Sequence, residues 1–245
     1  MRILPRAIVP RVLAKLEPIT SWIALAISIR RRSVTELWLG DSHALCFNRG
    51  ISLSMFVRTP DGGFVVRFGP RLMYSIAKNG MPEKINRVAR FVGRFGRPGT
   101  VVPIISAGEI DIRCHLSGRE PDYSFVDEYV AVCAEMFELT KAPVGYIVVP
   151  PPPNRDCPNV DLYPIKGTID ERIESTRGVR AALQDAVASH PNVELFDFND
   201  VLGNPDGTMI AELSDDGCHT NPKGIGVVRA HIEQMDLGRS LDARV

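Results

Sequence analysis

Short runs of apolar, mostly β-branched residues recur along the chain, and turn-forming residues bound most of them. Val34–Leu39 stops at Gly40, Phe64–Phe68 stops at Gly69-Pro70, and Val101–Ile105 follows a Pro98-Gly99 turn. Val144–Val149 runs into Pro150–Pro153, and Val193–Phe196 is the last of the series. Runs of this length and composition predict five buried strands. Helical spacing fills the intervals. Phe125, Tyr129, Val132, Met136 and Leu139 recur every three or four residues. Ile169, Ile173, Val179, Leu183, Ala186 and Val187 do so less strictly, and Ile225, Val228, Ile232 and Met235 close the chain. That spacing places each set on one helix face. Strands alternating with helices predict an α/β domain over residues 34–245, with five parallel strands covered by helices on both faces. In such sheets ligands bind beyond the carboxyl ends of the strands, so the residues just after each strand carry the functional reading.

The first 33 residues differ in character. Seven basic side chains (Arg2, Arg6, Arg11, Lys15, Arg30, Arg31, Arg32) stand against one acid, Glu17. Between them lies the apolar stretch Ile19–Ile29, too short to span a bilayer. It reads as a helical N-terminal extension that either packs on the domain or rests on a partner or an anionic membrane surface. Across all 245 residues the acids and bases balance to zero net charge, which argues against binding nucleic acid through bulk phosphate neutralisation. Hydrophobic content of 44% and charged content of 24% exclude wholesale disorder. Five scattered cysteines without a CxxC pair suggest a reducing, cytoplasmic setting, with peripheral membrane contact as an option, and no structural zinc.

Three strand-end segments hold the chemistry. Gly40-Asp41-Ser42-His43 follows the first strand, and Ser106-Ala107-Gly108-Glu109-Ile110-Asp111-Ile112-Arg113 follows the third. Ser214-Asp215-Asp216-Gly217-Cys218-His219-Thr220-Asn221-Pro222-Lys223-Gly224 precedes the last helix. A serine hydroxyl is a weak nucleophile at neutral pH and needs an adjacent base. His219 can supply the base, because imidazole titrates near working pH. An acid three residues earlier can fold back onto the other ring nitrogen. Asp215 and Asp216 both compete for that role.

Together these segments resemble the SGNH/GDSL hydrolase superfamily, over residues 34 to about 235. The resemblance implies a flavodoxin-like three-layer α/β/α sandwich and a Ser42–His219–Asp216 triad, with Asp216 favoured over Asp215 by register. It implies an oxyanion hole from the Ser42 amide and the Gly69 amide, with a third donor from an asparagine in the segment after the third strand. Here Ile110 stands at that asparagine's place and cannot donate, so Arg113 or His115 is the stand-in. The Gly-Glu-Ile-Asp-x-Arg form of this segment resembles a branch associated with carbohydrate assembly. The implied substrate is a small-molecule or glycan ester, and no cofactor is implied.

Around this centre, His43 either touches substrate or merely begins a helix. Glu109 and Asp111 either orient Arg113 or hold sugar hydroxyls, a metal role being the weaker alternative. Asn154 and Arg155 sit at the rim of a stiff proline wall, with Tyr163, Arg172 and Arg177 able to read a polar or anionic substrate. Asp41 reads as a loop-fixing acceptor. Cys218 adjoins His219 but has no histidine of its own, so a cysteine nucleophile is disfavoured. Three activities are compatible: an esterase, an O-acyltransferase, or a carbohydrate-binding scaffold with decayed chemistry, the last motivated by Ile110. A nucleotide-binding flavodoxin-like protein is weaker, because no phosphate-binding glycine loop follows any strand.

Overall fold

The computed structural model describes residues 19–31, 35–49, 54–159, 161 and 163–235. Helix α1 covers residues 19–28. The strands are β1 (Thr35–Gly40), β2 (Phe56–Arg58), β3 (Phe64–Arg67), β4 (Val101–Ser106), β5 (Gly145–Val148) and β6 (Val193–Phe196). They form a six-stranded sheet in the order β2-β3-β1-β4-β5-β6. Every neighbouring pair is parallel except β2 with β3. The five expected strands are present, and β2 is an addition. It has only three residues, too few for a periodicity, and it pairs back onto β3 through the Asp61-Gly62-Gly63 turn, where Gly62 has φ +88°. An antiparallel strand at the edge of a parallel sheet is common in such folds.

Alternation along each strand divides the core. Leu37, Leu39, Val66, Ile105 and Ile147 point to one face. There they meet α3 (Met73–Asn79), α4 (Glu83–Phe95), α6 (Phe125–Thr140) and α7 (Ile169–Val187). Trp38, Val65, Ile104, Tyr146 and Phe196 point to the other face. They pack on α2 (Ser42–Cys46), α8 (Asn199–Leu202) and α9 (Pro222–Gln234). The remaining short helix, α5 (Glu109–Asp111), continues into a π-turn at Ile112–Leu116. These three layers match the expected architecture.

The local signals that start the long helices are physical. Thr168 and Glu171 form a capping box at α7, and Asn221 caps α9 just before Pro222. Met235, expected in the core, is 36% exposed because α9 has ended one residue before it. In α1 and the turn that ends it, Leu25 and Ile29 are fully buried in the first core, and Trp22 meets Phe56 and Phe91 edge-on at 5.1 and 4.9 Å. The opposite stripe, Ile19, Ile23 and Ile27, is exposed, and the expected lipid or partner contact would fall there. Among the described residues no helix is long and apolar enough to cross a membrane.

Candidate active site

The end of β1 sets the geometry. A Cβ at Gly40 would come within 2.4 Å of the Ser106 carbonyl oxygen on β4, so only glycine lets the two strand ends converge. Asp41 then accepts a hydrogen bond from the His43 amide at 2.9 Å, capping α2 and placing Ser42 at its first position. Burial pushes the Asp41 carboxyl up to about 7, against the pull of the His43 amide. Its part is to shape the turn, as expected.

The segment before α9 arrives on the other side. His219 Nε2 lies 2.8 Å from Ser42 Oγ, and His219 Nδ1 lies 2.7 Å from Asp216 Oδ2. The other Asp216 oxygen accepts from the Cys218 and His219 amides at 2.9 and 2.7 Å. Partial burial raises the Asp216 pKa, but these bonds and the His219 ring outweigh it and bring the group down to about 2. Asp215 is engaged elsewhere, accepting from Asn221 Nδ2 at 2.7 Å. Of the two acids, Asp216 meets the His219 ring and Asp215 meets the residue that caps α9.

A cleft of about 410 Å³ opens over Ser42 and His219, walled by Arg67, Pro70, Glu109, Ile110, Arg113 and Tyr163 among others. Gly69 lies in the loop between two of these walls, with φ +83°, a conformation that favours glycine. Arg113 is fixed rather than free to swing. Its Nε lies 2.7 Å from Glu109 Oε1, its Nη2 donates to Glu109 Oε2 at 3.1 Å, and its Nη1 donates to the Tyr163 carbonyl at 3.4 Å. Burial works against the Arg113 cation, but Glu109 more than offsets it and raises its pKa. Burial likewise raises the Glu109 pKa, against the opposing pull of Arg113. Ile110 lines the cleft where a side-chain donor was sought.

Other predicted residues fall outside this cleft. Asp111 is buried and accepts from the Met73 and Tyr74 amides at 2.8 and 3.2 Å, so it caps α3 instead of holding substrate. Burial raises its carboxyl to about 6 in spite of those bonds. His115 lines a separate cavity with Tyr74, Arg119 and Phe125, because the π-turn carries it to the far side of the loop. Asn154 is buried under the proline loop, where its side chain accepts from the Asp156 amide at 2.9 Å. Arg155 pairs with Asp206 at the surface, and Arg177 lines a different groove with Asn199. The proline wall, Arg172 and Asn154 instead enclose a narrow crevice that reaches the cleft through Glu109, Arg113 and Cys218.

His43 lies in the first turn of α2 and is not among the residues that line the cleft. It is buried behind His219, with ring centroids 4.9 Å apart, and its Nε2 is 3.9 Å from Glu109 Oε2. Burial holds its imidazole well below the usual histidine range, with His219 and Arg113 acting in the same direction. Arg67 is the wall residue the strand-by-strand reading passed over, although it is the last residue of β3 and therefore at a ligand-facing strand end. Two groups, His43 with Cys218 and His219, and Glu109 with Cys157 and Cys218, have donor atoms within 4.8 Å of one another.

No family model and no curated protein matches the chain. Solved structures do. A GDSL-like lipase from Bacteroides thetaiotaomicron aligns with TM-score 0.53 at 13% identity, over 93% of this chain and 98% of the other. A carbohydrate esterase family 3 structure from Talaromyces cellulolyticus aligns with TM-score 0.51 at 14% identity, over 84% and 99%. The chain therefore has the SGNH/GDSL hydrolase fold.

Proposed function

We propose that the protein is a serine hydrolase of carboxylic esters, and that Ser42, His219 and Asp216 are its triad. One observation carries this: an unbroken hydrogen-bond chain from Asp216 through His219 to Ser42, built by residues 177 positions apart and open to a cleft. With Nδ1 protonated and donating to Asp216, Nε2 is free to take the Ser42 proton as Oγ attacks the acyl carbon. Asp216 holds that tautomer and stabilises the imidazolium, and a pKa of about 2 keeps it ionised through this step. The Ser42 and Gly69 amides are the proposed oxyanion donors. Arg113, paired with Glu109, brings its guanidinium to the wall of the same cleft. His219 then gives the Ser42 proton to the leaving alkoxide, which departs as alcohol and leaves the acyl-enzyme. In the second half it takes a proton from the water that attacks the acyl carbon and returns it to Ser42 Oγ as the acid leaves. An O-acyltransferase differs only in using a sugar hydroxyl at that step.

The cleft sets the polar groups of Arg67, Glu109, Arg113 and Tyr163 beside the apolar Pro70, Ile110 and Pro158, a mixed lining that suits the acyl and sugar parts of an acylated carbohydrate or a similar polar ester. The Talaromyces neighbour, a carbohydrate esterase, is in keeping with this. Ile110 favours one second reading, a glycan-binding protein with weakened chemistry. A fluorophosphonate probe separates the two. Labelling of the wild type that disappears in Ser42→Ala is the expected result. Absence of labelling in the folded wild type would sink the hydrolase reading and leave the binding one.

A further inference from the structure

Two thiols that the proposed chemistry does not use sit beside it. Cys157 follows the proline loop after β5, and Cys218 lies between Asp216 and His219. Their sulfur atoms and the Glu109 carboxylate lie within 4.8 Å of one another. The two loops are pressed together by design of the backbone. Gly217 has φ +71°, and a Cβ there would come within 2.3 Å of the Asp156 carbonyl and 2.8 Å of the Cys157 amide. Both thiols are free and only half-buried, whereas Cys46 and Cys133 are fully buried.

The surroundings make the pair unequal. A hydrogen bond from Cys218 lowers the Cys157 pKa; burial and the Glu109 carboxylate oppose that shift, and the guanidiniums of Arg113 and Arg172 add to it. The same hydrogen bond and burial hold the proton on Cys218. Two free, partly exposed thiols whose sulfur atoms lie within 4.8 Å of each other match a redox-sensing cysteine and its resolving partner. The two guanidiniums also disfavour a divalent cation between these sulfurs.

We infer that Cys157 and Cys218 form a thiol-modification site that a hydroperoxide converts to an intramolecular disulfide. The Cys157 thiolate attacks the peroxide, the O–O bond breaks, and sulfenic acid and hydroxide form. The Cys218 thiol then attacks that sulfur and expels its hydroxyl, which takes up the Cys218 proton and leaves as water. The hydroxide takes up the proton that Cys157 shed, so two thiols and one hydrogen peroxide give one disulfide and two waters, the two sulfurs supplying the two electrons. Closing to an S–S bond of about 2.05 Å draws Cys218 toward Cys157. Because its amide holds Asp216 and its neighbour is His219, the triad segment moves with it. Loss of hydrolase activity on oxidation is the consequence, and this part rests on the function proposed above.

The experiment treats the full chain with hydrogen peroxide, alkylates the remaining thiols, and maps peptides by mass spectrometry. A cross-linked Cys157–Cys218 peptide pair, released by dithiothreitol, is expected. In Cys218→Ser the expected product is a sulfenic acid at Cys157 trapped by dimedone, and Cys157→Ser abolishes both. Full alkylation of both thiols after peroxide overturns the proposal, as does protection of both by zinc alone. A parallel arm follows fluorophosphonate labelling. It should fall about 100-fold on oxidation of the wild type, the scale of a misplacement of about 1 Å, and persist in oxidised Cys157→Ser. A cross-link in protein that never labels refutes the hydrolase reading while the thiol site stands. Labelling without a cross-link does the reverse.

Discussion

At the scale of single residues, two adjacent acids have separate tasks. Asp216 spends one oxygen on the His219 ring and the other on two amides, while Asp215 is consumed by Asn221 at the start of α9. Substituting them therefore separates chemistry from capping. Asp216→Asn should lower kcat by about 10⁴-fold, because the amide presents the wrong partner to Nδ1. Asp215→Asn should stay near wild-type activity, with a stability loss under about 1 kcal/mol. Ester hydrolysis and thermal unfolding measured on both variants check this, and equal activity losses would reverse the assignment. Ile110 puts no side-chain donor into the cleft, whose polar groups include Arg67 and the Arg113–Glu109 pair.

At the scale of elements, α2 is five residues long and depends on its cap. Asp41 caps it from a buried position, with its carboxyl raised from 3.8 to about 7. The folded protein therefore binds this proton more tightly than the unfolded chain does. Stability from Asp41 is fully present below about pH 4 and is lost as pH rises through about 7, to an extent of roughly 4 kcal/mol. Asp41→Asn keeps an acceptor for the His43 amide and removes the titration. Urea midpoints of the variant should decline less between pH 4 and 8 than those of the wild type, and parallel profiles would contradict the burial argument. Capping also explains Asp111. Its position after a strand end suggested contact with substrate, yet the amides at the start of α3 needed an acceptor and α5 delivers one.

At the scale of the whole molecule, the layer over one sheet face includes α1. Leu25→Ala should lower unfolding free energy by about 2–5 kcal/mol, whereas Ile23→Ala on the exposed stripe should change it by less than about 0.5 kcal/mol. Chemical denaturation of the full chain measures both, and equal small effects would show that the helix does not share the core. Local order left clear traces in the sequence: five strands between turn residues, three long helices at helical spacing, and caps such as Thr168 with Glu171. The serine turn and the acid-to-histidine segment were legible as well, because each is a short motif. The strand β2 was not, since three residues carry no period, and neither were the positions of His43, His115 and Asn154. Sequence alone determined which residue types stand at each strand end, because hydrophobic periodicity and turn chemistry are local. Only the tertiary structure decided that Ser42 meets His219, that Cys157 meets Cys218, and that Asp111 and His115 turn away. Those meetings depend on how loops far apart in the chain converge over the sheet, and no local rule encodes that convergence.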